Sequence, residues 1–297
     1  MNINIDFYEN VFGISCIENN LLALLRYHSD ELHTMLYCES FVELRNVIVE
    51  AVNKKHDYLS YRGIKRLNDL SEEINLCKLQ FHELSANFLL DLLETDTLTL
   101  PIMIQVNPEV LDLTSNTLPW RNDHFVLLYK KERDNIYVID DYPVAMHCLS
   151  YEKLNECYMN VFVNFDINNN FAINERYLLK INQELSRIRE LNRKKTIIEF
   201  NICELESLIH LRDALGIMRV SRNRTAEWLK MINKDCGVKF NPSAIYDIHS
   251  VVRKLDKLYS IIEYSRLRKK DNAGHIWEQL NEIVILDDEW RKNIIGC

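Results

Sequence analysis

The chain has 297 residues, of which 47% are hydrophobic and 27% are charged, and its formal net charge is −8. A chain of this length exceeds most single domains, so the sequence predicts two domains, each able to bury a core of its own. No run approaches the ~18 consecutive apolar residues of a membrane span, and the N-terminus lacks the basic-then-apolar order of a signal peptide. We therefore expect a cytoplasmic protein without a membrane partner.

Motifs for metals, disulfides and nucleotides are missing from the sequence. The eight cysteines contain no C-x-x-C pair, H-E-x-x-H does not occur, and the six glycines form neither G-x-G-x-x-G nor a Walker A loop. A reducing cytoplasm keeps scattered thiols free, so we expect no disulfide framework. The sequence predicts neither a metal nor a bound cofactor, and no nucleic-acid partner.

Helical periodicity opens the chain in the stretch FGISCIENNLLALLRYH, residues 12–28. Ser15 is a natural N-cap, and Glu18 three residues later can close a capping box. Cys16 then falls in the first helical turn, where unpaired N–H groups and the helix dipole favour a thiolate over a thiol. This cysteine is either a small packing residue or a nucleophile.

The remaining pattern changes from helices to strands and back to helices. Further helices are predicted at 39–54 and 83–95, and strands at 98–106, 124–130, 135–140 and 157–165. The polar tract DINNNFAIN, residues 166–174, is taken as a domain boundary. Beyond it, helices are predicted at 175–192, 202–216, 222–235, 243–269 and 275–294, with stops at Gly216, Gly237 to Pro242 and Gly274. We expect an α+β fold, with helices and an antiparallel sheet in a domain of residues 1–168 and an all-α domain of residues 169–297.

The two halves of the chain differ in charge. Residues 1–170 carry 13 Lys and Arg against 26 Asp and Glu, whereas residues 171–297 carry 23 against 18. Such a split suggests two units with different partners. Solvated helix faces explain the basic residues of the second half equally well.

A cysteine nucleophile needs a base, and the base needs an orienting group. His124 begins a predicted strand, and the chain turns at residues 132–134 and returns to Asp140 and Asp141. In an antiparallel pair the end of the second strand lies beside the start of the first, so an acid at 140 or 141 comes close to His124. The two aspartates point to opposite faces. We expect Asp140 to orient His124, with Asp141 as the alternative if a bulge shifts the register.

This order of Cys, His and Asp resembles the papain superfamily. It is closely similar to the bacteriocin-leader peptidases of ABC transporters, whose motif H-F-V-V…I-x-I-x-D-P has the same step as His124 to Asp140. Those enzymes place a Gln six residues before the Cys as an oxyanion donor. Here that position is Asn10, whose shorter side-chain amide can also donate an N–H.

The layout of the whole chain resembles the butirosin-assembly acyltransferases and the protease homologue associated with closthioamide amide bonds, in which a peptidase-like half precedes a helical half. The resemblance implies a papain-like first domain with Cys16, His124 and Asp140 as catalytic residues and Asn10 in the oxyanion hole. It also implies that an acyl group passes from the phosphopantetheine thioester of a carrier protein to Cys16 and then to an amine. Phosphopantetheine enters only as part of that carrier substrate.

The leading hypothesis is therefore an amide-forming acyltransferase of antibiotic or related natural-product biosynthesis, acting on a carrier protein and a small amine or diamine. The alternatives are a cysteine peptidase or thioesterase, and a non-catalytic papain-like binding module. Because carrier proteins are generally acidic, basic residues of the second half are expected to bind the carrier. The carrier-binding residues predicted are Arg193, Lys194 and Lys195, next to Arg187 and Arg189, and a second basic cluster comprises Arg266, Arg268, Lys269 and Lys270.

Overall fold

The computed structural model describes residues 8, 16–28, 44, 47–48, 51–52, 67–110, 124–141, 144–168, 177–183, 186, 205–235, 241–268 and 272–294. Helices and an antiparallel sheet occur together among these residues, so the fold is α+β, as the sequence predicts. Within the same ranges, no helix has both the length and the apolar character needed to cross a membrane.

The chain divides into two compact units by its internal contacts. One comprises residues 1–10, 14–33 and 66–171, and the other comprises residues 11–13, 34–65 and 172–297. The domain division predicted between residues 168 and 169 stays a prediction.

The first unit contains a six-stranded sheet and four helices with defined bounds. The helices are α1 (Cys16–His28), α2 (Leu67–Glu73), α3 (Ala86–Glu94) and α4 (Tyr151–Cys157). The strands are β1 (Cys77–Glu83), β2 (Ile102–Val106), β3 (His124–Glu132), β4 (Asn135–Asp141), β5 (Val144–Ser150) and β6 (Tyr158–Ile167). They lie in the order β1-β6-β2-β3-β4-β5, and every neighbouring pair is antiparallel.

Alternation along the strands gives the sheet two apolar faces, each covered by helices. On one face α1 packs through Ala23 and Leu24. On the other face α3 packs through Leu89 and Leu93, and α4 through Leu154. The first turn of α1, with Cys16, thereby joins the apolar cluster that contains Phe125 at the start of β3.

The sequence located the inner strands better than the edge strands. The predictions at 124–130, 135–140 and 157–165 correspond to β3, β4 and β6, and the prediction at 98–106 holds only over β2. Strands β1 and β5 were not predicted, and both lie at the edges of the sheet with many exposed residues. The helix predicted from residue 83 begins at Ala86, because Glu83 completes β1.

The second unit is helical wherever the structure describes an element with defined bounds. Its helices are α5 (Leu205–Asp235), α6 (Ser243–Arg268) and α7 (Ala273–Ile294). The stop predicted at Gly216 is wrong, because α5 continues through it. A glycine costs about 1 kcal/mol inside a helix, and burial of its neighbours Leu215, Ile217 and Met218 offsets that cost. Gly274 is the second residue of α7 and does not precede the helix.

A buried ion pair joins α5 to α7. Arg222 donates through Nε to Asp287 Oδ1 at 2.5 Å and through Nη2 to Oδ2 at 2.7 Å, and both side chains are fully buried. Trp290 Nε1 also donates to this carboxylate at 2.9 Å. Burial favours the neutral acid, but the positive charges of Arg222 and Arg291 prevail and lower the pKa of Asp287.

Candidate active site

Cys16 is the first residue of α1 and is only 5% exposed. Its Sγ accepts a hydrogen bond from the backbone N–H of Phe125 at 3.4 Å. The first N–H groups of a helix have no intrahelical partner and point along the axis, so negative charge is favoured near this end. The sulfur therefore lies close to two kinds of backbone donor, the Phe125 N–H and the first N–H groups of α1.

His124 and Asp140 form a buried hydrogen-bonded pair. His124 Nε2 lies 2.8 Å from Asp140 Oδ1, and the two residues are 6% and 2% exposed. His124 is the first residue of β3 and Asp140 the penultimate residue of β4. The antiparallel pairing of these strands thus brings together the two groups that the sequence analysis selected.

A bulge in β3 changes the register between β3 and β4. Near the turn, Lys130 pairs with Tyr137, but farther along the ladder Leu128 pairs with Val138. Tyr129 is therefore an extra residue on β3. Beyond it, every pairing is displaced by one residue relative to the register at the turn.

This displacement decides which aspartate shares a face with His124. Continuing the observed register places Val126 opposite Asp140, and Val126 and His124 lie on the same face of β3. Without the bulge, Asp141 would stand opposite Val126. The extra residue therefore places Asp140 within reach of the imidazole and Asp141 on the other face, so the expectation that a bulge would favour Asp141 is wrong.

The pKa of His124 is raised from 6.5 to about 10. Burial alone would lower it, but side-chain hydrogen bonds to Asp140 and Cys16, together with the negative charges of both, outweigh the desolvation. Because Asp140 engages Nε2, Nδ1 is the nitrogen available to Cys16. At neutral pH the ring is thus held as an imidazolium between an acid and a sulfur.

Further polar residues that the sequence analysis did not single out are buried around this site. Asn20 Nδ2 donates to the Phe125 carbonyl oxygen at 3.1 Å, and the Tyr8 hydroxyl donates to Asn20 Oδ1 at 2.7 Å. Asn19 Nδ2 donates to Asp141 Oδ2 at 3.4 Å. The available signal was a pair of adjacent asparagines next to the apolar run of residues 21–25 in the same helix, since Asn is a poor helix former and is rarely buried.

His124, Asp140 and Asp141 also form a group whose possible metal-ligand atoms all lie within 4.8 Å of one another. Two ligands of one tetrahedral zinc ion, each about 2.0–2.1 Å from the metal, stand about 3.3 Å apart. The 2.8 Å between His124 Nε2 and Asp140 Oδ1 is instead a hydrogen-bond length. His124 and Asp140 therefore fit a pair that shares a proton better than two ligands of one metal ion.

The other cysteines that the structure describes have different surroundings. Burial raises the pKa of Cys77 to about 12 and that of Cys157 to about 11. Cys148 is an exposed free thiol on β5. None of these three is described in contact with a histidine, so they serve as internal comparisons for Cys16.

Several predicted functional residues lie outside the described residues. They are Asn10, the N-cap Ser15, the carrier-binding residues Arg193, Lys194 and Lys195, and Arg187, Arg189, Lys269 and Lys270 of the two basic clusters. Their roles stay predictions.

No family model matches the sequence, and no curated protein is significantly similar to it. A functional assignment therefore depends on the chemistry of the site.

Proposed function

We propose that the protein is a cysteine-dependent acyltransferase with a papain-like first domain, in which Cys16 is the nucleophile, His124 the proton carrier and Asp140 the group that orients His124. The observation that carries the proposal is the buried arrangement of His124 between Asp140 and Cys16, with the sulfur at the N-terminus of α1. Such a thiolate and imidazolium pair is the resting state of an activated cysteine nucleophile.

In the first half-reaction the Cys16 thiolate attacks the carbonyl carbon of a carrier-bound thioester. The bond from Sγ to carbon forms, and the bond from carbon to the phosphopantetheine sulfur breaks. The His124 imidazolium transfers its proton to the departing sulfur, which leaves as a thiol. Asp140 keeps the imidazole ring aligned while its charge changes.

In the second half-reaction a small amine attacks the acyl group on Cys16. The neutral His124 accepts a proton from the attacking nitrogen, and the bond from carbon to Sγ breaks. The products are an amide and the original pair of thiolate and imidazolium, so no metal or redox partner is needed. In both steps the Cys16 backbone N–H and Asn10 are the proposed donors to the oxyanion.

Recognition of an acidic carrier is part of the proposal. Besides Arg193, Lys194 and Lys195, the second unit presents a stripe of exposed residues along α6, spaced by three, four or seven positions and so on one helix face. We call it the α6 stripe, and it consists of Tyr246, Arg253, Lys257, Tyr264 and Leu267. A cleft of about 520 Å³, lined in part by Lys257 and Tyr264, opens on it. The stripe combines positive charge with exposed apolar surface, which suits an acidic protein partner.

The decisive experiment is mass spectrometry of the intact protein mixed with acylated carrier proteins. We expect one acyl adduct, located on Cys16, that disappears when an amine is added and an amide forms. Cys16→Ala should lose the adduct and all turnover, whereas Cys148→Ala, which removes an exposed thiol, should keep both. An unchanged rate in Cys16→Ala would refute the proposal.

The products separate the related alternatives. Release of free acid in place of an amide would indicate a thioesterase, and cleavage of peptides without carrier would indicate a peptidase. A folded protein that forms no adduct with any thioester and whose Cys16 is no more reactive than Cys148 would indicate a non-catalytic module. Turnover that EDTA abolishes and a divalent cation restores would point to the metal-binding alternative for His124, Asp140 and Asp141.

Carrier recognition has its own test. Charge reversal in Arg253→Glu with Lys257→Glu should raise the KM for the acyl carrier severalfold and leave transfer from a small acyl thioester unchanged. Lys230→Glu is the matched control, because Lys230 lies on α5 and pairs with Glu227. Added salt should reproduce the effect for the carrier alone. Equal sensitivity of carrier and small thioester would contradict recognition by charge.

A further inference from the structure

Asn20 and Cys16 contact the same residue of β3. Asn20 is fully buried one helical turn after Cys16 on α1, and residues four apart lie on one helix face. Phe125 donates its N–H to Cys16 Sγ at 3.4 Å, and its carbonyl oxygen accepts from Asn20 Nδ2 at 3.1 Å. The side chains of α1 thus bond both backbone groups of the residue next to His124.

These contacts replace those of a neighbouring strand. The N–H and C=O of one strand residue point to the same side, and for Phe125 that side is occupied by Cys16 and Asn20. The described pairing of β3 with β4 begins at Leu127, two residues farther along. The start of β3 therefore pairs with β2 on one side, through Val106 and Gln105, and is held on its other side by two side chains of α1 rather than by β4.

The amide of Asn20 has one orientation that satisfies its neighbours. The Phe125 carbonyl oxygen can only accept, so Nδ2 must face it and Oδ1 must face the Tyr8 hydroxyl, 2.7 Å away. Burial, followed by the charges of Asp141 and Asp140, raises the pKa of Tyr8 well above its ordinary value, so its hydroxyl stays a neutral donor. Tyr8 thus orients the amide, and the amide holds Phe125.

We propose that Asn20 is a positioning residue for the nucleophile, which holds the Phe125 backbone so that its N–H stays in contact with Cys16 Sγ and stabilises the thiolate. The proposal rests on the proposed role of Cys16 as the nucleophile. Asn20 itself touches neither sulfur nor substrate. Its influence passes through one residue of β3.

The test is the pH dependence of the alkylation of Cys16 by iodoacetamide, followed by peptide mass spectrometry. In Asn20→Ala the pH at which alkylation reaches half its maximal rate should rise by about one unit. The reason is that a weakened hydrogen bond from Phe125 to Cys16 lowers the thiolate fraction of Cys16 roughly tenfold at pH values below this midpoint. The rate at high pH, where every thiol is ionised, should match the wild type. In Tyr8→Phe the shift should have the same direction and less than half the size, because Nδ2 still reaches Phe125.

The matched control is Asn164→Ala, which removes a partly buried amide from β6 of the same sheet. It should leave the alkylation profile unchanged even if the protein melts at a lower temperature. If Asn20→Ala does not fold, Asn20→Ser, whose side chain is too short to reach Phe125, takes its place with the same expectation.

An unchanged profile in a folded Asn20 variant would overturn the proposal, and so would a larger shift in Tyr8→Phe than in Asn20→Ala. Alkylation requires no acyl donor, so the outcome is separate from that of the proposed function. If no thioester ever acylates Cys16, the transferase assignment fails while the alkylation profile still tests Asn20.

Discussion

Replacing Asp140 with Asn keeps the size of the side chain and removes the charge that holds His124 as an imidazolium. The pKa of His124 is raised from 6.5 to about 10, which corresponds to roughly 5 kcal/mol in favour of the charged ring at 1.36 kcal/mol per pKa unit. An opposite charge in direct contact accounts for about 1–3 such units. The alkaline limb of the pH–rate profile is the pH range in which the rate falls as His124 loses its proton. Its midpoint is expected near pH 10 in the wild type and at roughly pH 7–9 in Asp140→Asn.

The assay is the rate of Cys16 acylation by a small acyl thioester between pH 6 and 10.5, read by intact mass. The imidazolium must protonate the leaving sulfur, so the rate follows the charged fraction of His124. At pH 9 that fraction is about nine tenths in the wild type and between about 1% and one half in the variant.

Asp141→Asn is the matched control, because Asp141 accepts a hydrogen bond from Asn19, whereas the hydrogen bond to His124 Nε2 is made by Asp140. It should shift the alkaline limb less than Asp140→Asn does. If the limb stays near pH 10 in Asp140→Asn, the hydrogen bond between Asp140 and His124 does not control the imidazolium. If Asp141→Asn causes the larger shift, the register derived from the β3 bulge is wrong.

Three further predictions concern stability. The raised pKa of His124 adds stability that is complete below about pH 6.5 and is lost as the pH rises through about 10. The unfolding free energy of the wild type should therefore exceed that of His124→Gln by an amount that decreases between these limits, as measured by urea titration. A difference that stays constant with pH would contradict the pKa shift. Asp287→Asn leaves Arg222 buried without its counter-charge and should cost about 3–5 kcal/mol in the same assay, an expectation that a loss below 1 kcal/mol would refute. Gly274→Ala should stabilise α7 by about 0.5–1 kcal/mol, because an added Cβ meets nothing within 4 Å; a lower melting temperature would show that the site is less open.

The inner elements of the fold could be predicted because their residues carry strong local patterns. Strands β3 and β4 are rich in apolar and β-branched residues on both sides of a short turn, and α6 ends within one residue of the predicted position. Edge strands β1 and β5 are half exposed, so their alternation is weak, and they were missed. Gly216 signals a helix end locally, but buried neighbours keep α5 continuous across it.

The sequence alone determined which chemical groups are available and in what order: a cysteine at a helix start, a histidine at the start of a strand and two aspartates at the end of the next. These are local properties, because capping and strand periodicity depend on neighbouring residues. Only the tertiary structure decided between Asp140 and Asp141, since a bulge at Tyr129 shifts the register of the ladder by one residue. It also decided the contacts of Phe125 with Cys16 and Asn20, more than 100 residues away in the chain, because no local pattern specifies which backbone groups a buried side chain meets across a core.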